Sequence, residues 1–202
     1  MRVLISGSTG FIGSALVKRL VELGHEPVRL VRSTSPDDVA SVRWDPAAET
    51  IDDGALDNID AVVHLAGESI ASSRWTDAQK ARIMDSRVKG TRTVAKAMAA
   101  AEDPPAVFLS GSAIGYYGDT DDQRITEESS AADDFAALVT IEWEKEATPI
   151  ATTRTRLAYL RTGIVLDPSG GALKEQLPFF KLGIGGRIGA VSYTHLTLPT
   201  KA

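Results

Sequence analysis

Three glycines spaced G-x-x-G-x-x-G, in the run Gly7-Ser8-Thr9-Gly10-Phe11-Ile12-Gly13, are the residues of this chain best suited to holding an anion. Each has a separate physical task. Gly7 lets the chain turn sharply out of a strand, Gly10 lets backbone N–H groups approach a pyrophosphate, and Gly13 lets a helix pack closely on that strand. A helix that begins inside the motif offers its unpaired N–H groups and the positive end of its dipole to the phosphates. The flanks agree. Val3-Leu4-Ile5-Ser6 is a short apolar run, and Ile12, Ala15, Leu16, Leu20 and Leu23 recur on one helical face, with Gly24 as a stop. A dinucleotide-binding turn is expected here, with a purely structural turn as the alternative.

The residue that ends the second strand of such a fold reads the adenosine ribose. NAD-selective domains place an acid there, about 20 residues beyond the glycines. This chain has Arg32, closing Val28-Arg29-Leu30-Val31-Arg32, while Asp37 and Asp38 come later, past Pro36. A guanidinium can clamp a 2′-phosphate through two parallel charge-assisted hydrogen bonds, so NADP(H) is expected ahead of NAD(H). The plainer alternative is a solvated charge at a strand end. Glu68 and Arg74 follow another strand end and are candidates for cofactor or substrate contact, as is Arg161; paired surface charge is the competing reading.

Strand and helix patterns alternate along the 202 residues, which predicts an α/β fold, a doubly wound parallel sheet covered by helices on both faces. Strands are expected at 2–6, 28–31, 42–44, 61–65 and 106–109, with further β signal at 156–160 and 162–166. Helices are expected at 11–23, from Thr76 to about Ala101, around Phe135 to Trp143, and briefly up to Leu182. The second of these opens on a T-x-x-Q capping box, Thr76 and Gln79, and carries Met84, Val88, Thr91, Ala95 and Met98 on one side. His64 lies inside an apolar strand and reads as a core histidine. With 43% hydrophobic and 24% charged residues, the chain can bury one sizeable core. A net charge of −5 gives no electrostatic support for nucleic acid, and no cysteine is present for disulfides or thiolate chemistry. No long apolar segment and no leader are visible, so no membrane partner is expected and a cytoplasmic setting is the default.

Several ordered motifs resemble the extended short-chain dehydrogenase/reductases: GSTGFIG, the strand-end His64-Leu65-Ala66-Gly67, Arg87-Val88-Lys89-Gly90-Thr91, and Ser110 through Gly118. More narrowly, GESI followed by RWT at 67–76, SAIGYYGD at 112–119, TEES at 126–129, Trp143-Glu144, RTGIVL at 161–166 and GGAL at 170–173 resemble the atypical "epimerase family" branch. The resemblance implies an NAD(P)-binding Rossmann fold over residues 1–189, NADP(H) binding, a small-molecule substrate of undefined identity, and only the start of a smaller substrate-binding region. It also implies a further C-terminal region beyond about Gly189, whose absence would leave apolar surface open to self-association. Residues 190–202 lack periodicity and read as a non-native tail, so His195 carries no role.

The superfamily's usual chemistry needs a tyrosine acid/base and a lysine four residues on, whose cation lowers the phenol pKa. Thr120, Asp121, Gly163 and Thr197 occupy that place after Tyr116, Tyr117, Tyr159 and Tyr193. Alignment on Glu144 puts Ala136 and Thr140 at the dyad positions, so the dyad is absent. Arg87 stands where many relatives carry an asparagine. The resemblance leaves Ser112 at the position of the superfamily's catalytic serine, and Tyr116 with Tyr117 as possible proton donors; loop packing is the alternative for each. Two readings therefore stay open: an atypical NADP(H)-dependent oxidoreductase or epimerase with Ser112 and Tyr116 at its centre, or a non-catalytic NADP(H)-binding sensor.

Overall fold

Val3, Leu4, Ile5 and Ser6 are all buried, and an apolar run with no polar alternation needs cover on both faces. It gets that cover as β1 (Arg2–Ser6), in the middle of a seven-stranded sheet of order β4-β3-β2-β1-β5-β6-β7. The computed structural model describes residues 1–34, 40–70 and 73–185. The strands are β2 (Glu26–Val31), β3 (Ser41–Asp45), β4 (Thr50–Ile51), β5 (Ala61–His64), β6 (Val107–Ala113) and β7 (Arg156–Thr162). All pair in parallel except β4, which turns back antiparallel on β3 at the edge. β2 lies on one side of β1 and β5 on the other, so strand order reverses at β1. A crevice at the C-terminal ends of these strands is where such a sheet takes ligands.

Alternate residues of β1 feed opposite layers. Val3 and Ile5 join Ala61 and Val63 under Leu16, Val17 and Leu20 of α1 (Phe11–Glu22). Leu4 joins Val62, Phe108 and Trp44 under Val94, Ala95 and Met98 of α2 (Asp77–Ala100). The buried face of α1 differs from the expected one. Ile12 and Leu23 are exposed, and the inward residues are Gly13, Leu16, Val17 and Leu20. The docking of Gly13 on β1 fixes the helix rotation, so apolar residues off that line stay wet. In α2 the inward set moves likewise to Ile83, Thr91, Val94, Ala95 and Met98. Thr76 caps this helix by accepting from Gln79 N–H at 3.3 Å, but the Gln79 amide accepts from Arg82 instead of completing a box.

β6 runs on to Ala113, well past Leu109, and stays paired with β7 as far as Ala113 and Thr162. Ser110-Gly111-Ser112 has turn-like composition, yet Gly111 is needed in the strand: a Cβ there would lie 2.9 Å from His64 O and from the Trp143 ring. A 3₁₀ turn (Ile114–Tyr117) follows, then α3 (Phe135–Lys145), capped by Asp134 accepting from Ala137 N–H at 2.8 Å. The β signal at 162–166 is not realised, because β7 ends at Thr162 and Gly163 follows. By contact the chain divides into residues 1–118 with 131–163, and residues 119–130 with 164–202. The second unit holds α4 (Gly171–Lys181), none of whose residues is buried. Residues 190–202, Asp37 and Asp38 lie outside the described residues.

A Cβ on Gly13 would fall 2.1 Å from Gly7 O, which neither backbone can relieve without moving. Gly13→Ala is expected to cost at least about 2 kcal/mol, seen as a fall in Tm of several degrees in thermal unfolding. A variant melting with the wild type would contradict this docking.

Candidate functional site

At the sheet's switch point lies a cleft of about 490 Å³. Gly7 to Gly10 after β1 form its floor, Leu30 to Ser33 at the end of β2 form one side, and Leu65 to Glu68 after β5 form the other. Trp44, Pro46 and Ser86 complete the lining. Gly7 adopts φ +68, and a Cβ there would stand 2.8 Å from Leu65 C and 2.9 Å from Ala66 N. Both the left-handed turn and the close approach therefore require glycine. Gly10 N–H donates to Gly7 O at 2.9 Å, closing the turn, and Ser14 N–H makes the first helical bond to Gly10 O at 2.9 Å. The N–H groups of Phe11, Ile12 and Gly13 precede that bond and have no intrahelical carbonyl to donate to. Ser8 is only 3% exposed, and its hydroxyl has no partner among the described residues. A cradle that a side chain would fill, with buried donors left over, fits a diphosphate.

Beneath the cleft, Ser6 Oγ accepts from Leu65 N–H at 3.1 Å and Ala66 N–H at 3.2 Å. With both lone-pair sites used, its own proton goes to His64 Nδ1 at 2.7 Å. This bonding pattern assigns the imidazole hydrogen to Nε2. Burial without a counter-charge pushes His64 down to about 4, so it is a neutral core histidine. Its ring meets the indole of Trp44 edge-on, with centroids 5.8 Å apart.

Above the cleft wall, Glu68 N–H donates to Ser86 Oγ at 2.9 Å, and Arg87 Nη1 donates to Glu68 O at 2.9 Å. The Arg87 guanidinium lies 5.0 Å from the Trp143 ring centre, and burial lowers its pKa. Arg32 is exposed and lies on the cleft rim. Arg74 is exposed and does not belong to the lining.

Ser112, Tyr116 and Arg161 gather in a second cluster around Glu144 of α3. Ser112 Oγ donates to Glu144 Oε1 at 2.6 Å. Arg161 grips the same carboxylate with Nε to Oε1 and Nη2 to Oε2, both at 2.8 Å, and Tyr117 Oη accepts from Arg161 Nη1 at 2.7 Å. Arg161 Cζ stands 3.7 Å from the centre of the Tyr116 ring. Tyr159 Oη donates to the Glu144 carbonyl at 2.8 Å. The Glu144 carboxylate, helped by Tyr117, raises the Arg161 pKa above its ordinary value against the pull of burial. Tyr117 is a proton-donor candidate in the sequence, but no spacing reveals its pairing with Arg161, 44 residues on, or that of Glu144 with Ser112, 32 residues back. The pairing of Trp143-Glu144 with RTGIVL among the motifs was the one available signal. Thr140, at the dyad's lysine position, is buried and donates to the carbonyls of Ala136 and Ala137.

A sequence model of the NAD dependent epimerase/dehydratase family matches residues 3–140. The chain belongs to that family. An epimerase family protein of Mycobacterium bovis is 39% identical over 188 residues, 93% of this chain and 62% of the relative. The human epimerase family protein SDR39U1, solved with NADPH, superposes with a TM-score of 0.84 at 35% identity, covering 94% of this chain and 63% of that one. A nucleoside-diphosphate sugar epimerase of Corynebacterium glutamicum gives 0.81 at 36% identity, covering 94% and 39%. The chain thus spans somewhat under two thirds of the curated relatives' length.

In this member of the epimerase family, Gly7, Ser8, Thr9, Gly10, Arg32, Leu65, Ala66, Gly67 and Glu68 are brought to one cleft. Phe11, Ile12 and Gly13 stand at the start of the helix behind it. Ser112, Tyr116 and Arg161 form the separate cluster. Because folded His64 resists protonation down to about 4 against an ordinary 6.5, the unfolded chain takes up a proton first as pH falls. Stability from this group is full above pH 6.5 and declines towards pH 4, at up to about 1.4 kcal/mol per pH unit. His64→Gln is expected to flatten that slope in urea unfolding across the window; an unchanged slope would contradict burial of the neutral ring.

Proposed function

We propose that this epimerase-family chain binds NADP(H) in the cleft at its switch point and serves oxidoreductase or epimerase chemistry on a small molecule carrying a carbon–oxygen function. The observation that carries this reading is the approach of Gly7 to Leu65 and Ala66, within 3 Å of where a Cβ would stand, beside the Ser8 hydroxyl, which has no partner among the described residues. The relative solved with NADPH supports it. Gly7 to Gly13 would hold the diphosphate through main-chain N–H groups, and Leu65, Ala66 and Gly67 would form the opposing wall. Arg32 would pair with the 2′-phosphate, which makes NADP(H) the preferred nucleotide and NAD(H) a weaker one. Glu68 on the cleft wall, Arg74 ahead of α2 and Arg161 near the end of β7 are further candidates for nucleotide or substrate contact. Bound there, the nucleotide would supply hydride transfer at its nicotinamide ring. Ser112 and Tyr116 would flank the reacting oxygen.

The missing tyrosine–lysine spacing favours a second reading, a non-catalytic NADP(H) sensor. No described helix is long and apolar enough to cross a membrane. Titration calorimetry separates cofactor binding from its specificity. Arg32→Ala is expected to weaken NADPH by about 10- to 100-fold, the range of a lost charge-assisted pair, and to leave NADH nearly unchanged. Equal losses for both nucleotides would remove Arg32 from the 2′-phosphate site.

A further inference from the structure

We infer that Tyr117 is the proton donor of this protein, with Arg161 as its charge partner, acting on the carbonyl oxygen of a small ketone or aldehyde. This rests on the NADP(H) reading above. Which atoms of the cluster hold protons follows from its donors and acceptors. Arginine only donates and a carboxylate only accepts. Arg161 Nη1 therefore gives its proton to Tyr117 Oη across 2.7 Å, and the phenol's own O–H is not spent in that bond. Ser112 is the reverse case. Its single proton is directed at Glu144 Oε1, 2.6 Å away, so Ser112 Oγ is left to accept. Tyr116 offers the same guanidinium its ring face, not its hydroxyl. The two-point grip of Glu144 keeps Arg161 from swinging away from either tyrosine.

The cluster is also in the right place. His64 of β5 is paired with Ser110 of β6. Ala66, on the cleft wall, follows two residues after β5 ends at His64, and Ser112 stands two residues further along β6. A cation touching a tyrosine oxygen is what the lysine of the missing dyad would have provided. Here the partner comes from a neighbouring strand end instead of the next helical turn, which is why no spacing in the sequence reveals it. As a carbonyl carbon gains hydride from a reduced nicotinamide, the π pair of the C=O bond takes the proton from Tyr117 Oη. The phenol O–H pair stays on Tyr117 as a phenolate beside Arg161, and water returns the proton.

Two readouts on the full chain test this. Tetranitromethane attacks phenolates, and peptide mass spectrometry assigns the nitrated residue. Tyr117 is expected to react ahead of Tyr116, to be shielded by NADP⁺, and to lose its lead in Arg161→Gln while keeping it in Arg161→Lys. With phenanthrenequinone and para-nitrobenzaldehyde as carbonyl probes, Tyr117→Phe is expected to slow NADPH oxidation about 100-fold with Tm and NADPH affinity unchanged. Equal nitration of the two tyrosines, or turnover in Tyr117→Phe within about threefold of wild type, overturns the assignment. Wild type that binds NADPH but reduces neither probe overturns it too, whereas wild type that binds no NADPH overturns the reading of the cleft.

Discussion

Two strands leave this sheet side by side, and their exits touch. The turn at Gly7 brings its Cα against the peptide joining Leu65 to Ala66 so closely that no side chain fits between them. Much of the cleft depends on that contact. It sets where β1 ends, directs α1 back across the sheet with Gly13 against Gly7 O, and leaves a floor made of main chain. A floor of backbone amides can face a diphosphate at hydrogen-bond distance, which a floor of side chains cannot.

Such a crevice has to be kept open by what lies beneath it. Ser6 and His64 do this with polar chemistry inside an apolar core. The Ser6 hydroxyl takes both N–H groups of Leu65 and Ala66 and passes its own proton to the imidazole. Leu65 N–H also reaches Ser6 O at 3.3 Å, but an unpaired Ala66 amide would cost on the order of 1–3 kcal/mol. The brace holds the β5 exit at the height that Gly7 requires. Glu144 does similar work one strand further out, where it collects Ser112, Arg161 and the Tyr159 hydroxyl into one cluster. The two devices differ in charge: His64 is kept neutral by burial, and Glu144 is matched by a guanidinium.

The cleft was largely legible in the sequence because its demands fall on the backbone, and backbone demands leave glycines. Gly7 and Gly13 are needed for conformation and clearance, so their spacing, set between an apolar strand and an amphipathic helix pattern, announces the turn. The helix faces were less legible. Ile12 and Leu23 fit an apolar stripe on α1, but the contact of Gly13 with β1 sets the rotation, and a glycine carries no weight in a hydrophobic pattern. The strand expected at 106–109 runs on through Ser110-Gly111-Ser112 to Ala113, where Gly111 clears the Trp143 ring from a distant helix. β4 is two residues long, too short for any period to register. The Glu144 cluster joins strand, turn and helix across more than thirty residues, and only the fold brings them together.

The account stands on the Gly7 approach being what admits a dinucleotide. Titration calorimetry of NADPH into wild type and Gly7→Ala, with circular dichroism to show that both are folded, tests that most directly. The account predicts micromolar or tighter binding by wild type and loss of at least about 100-fold in the variant, equivalent to about 2.7 kcal/mol. A folded Gly7→Ala protein that binds NADPH as wild type does would contradict it.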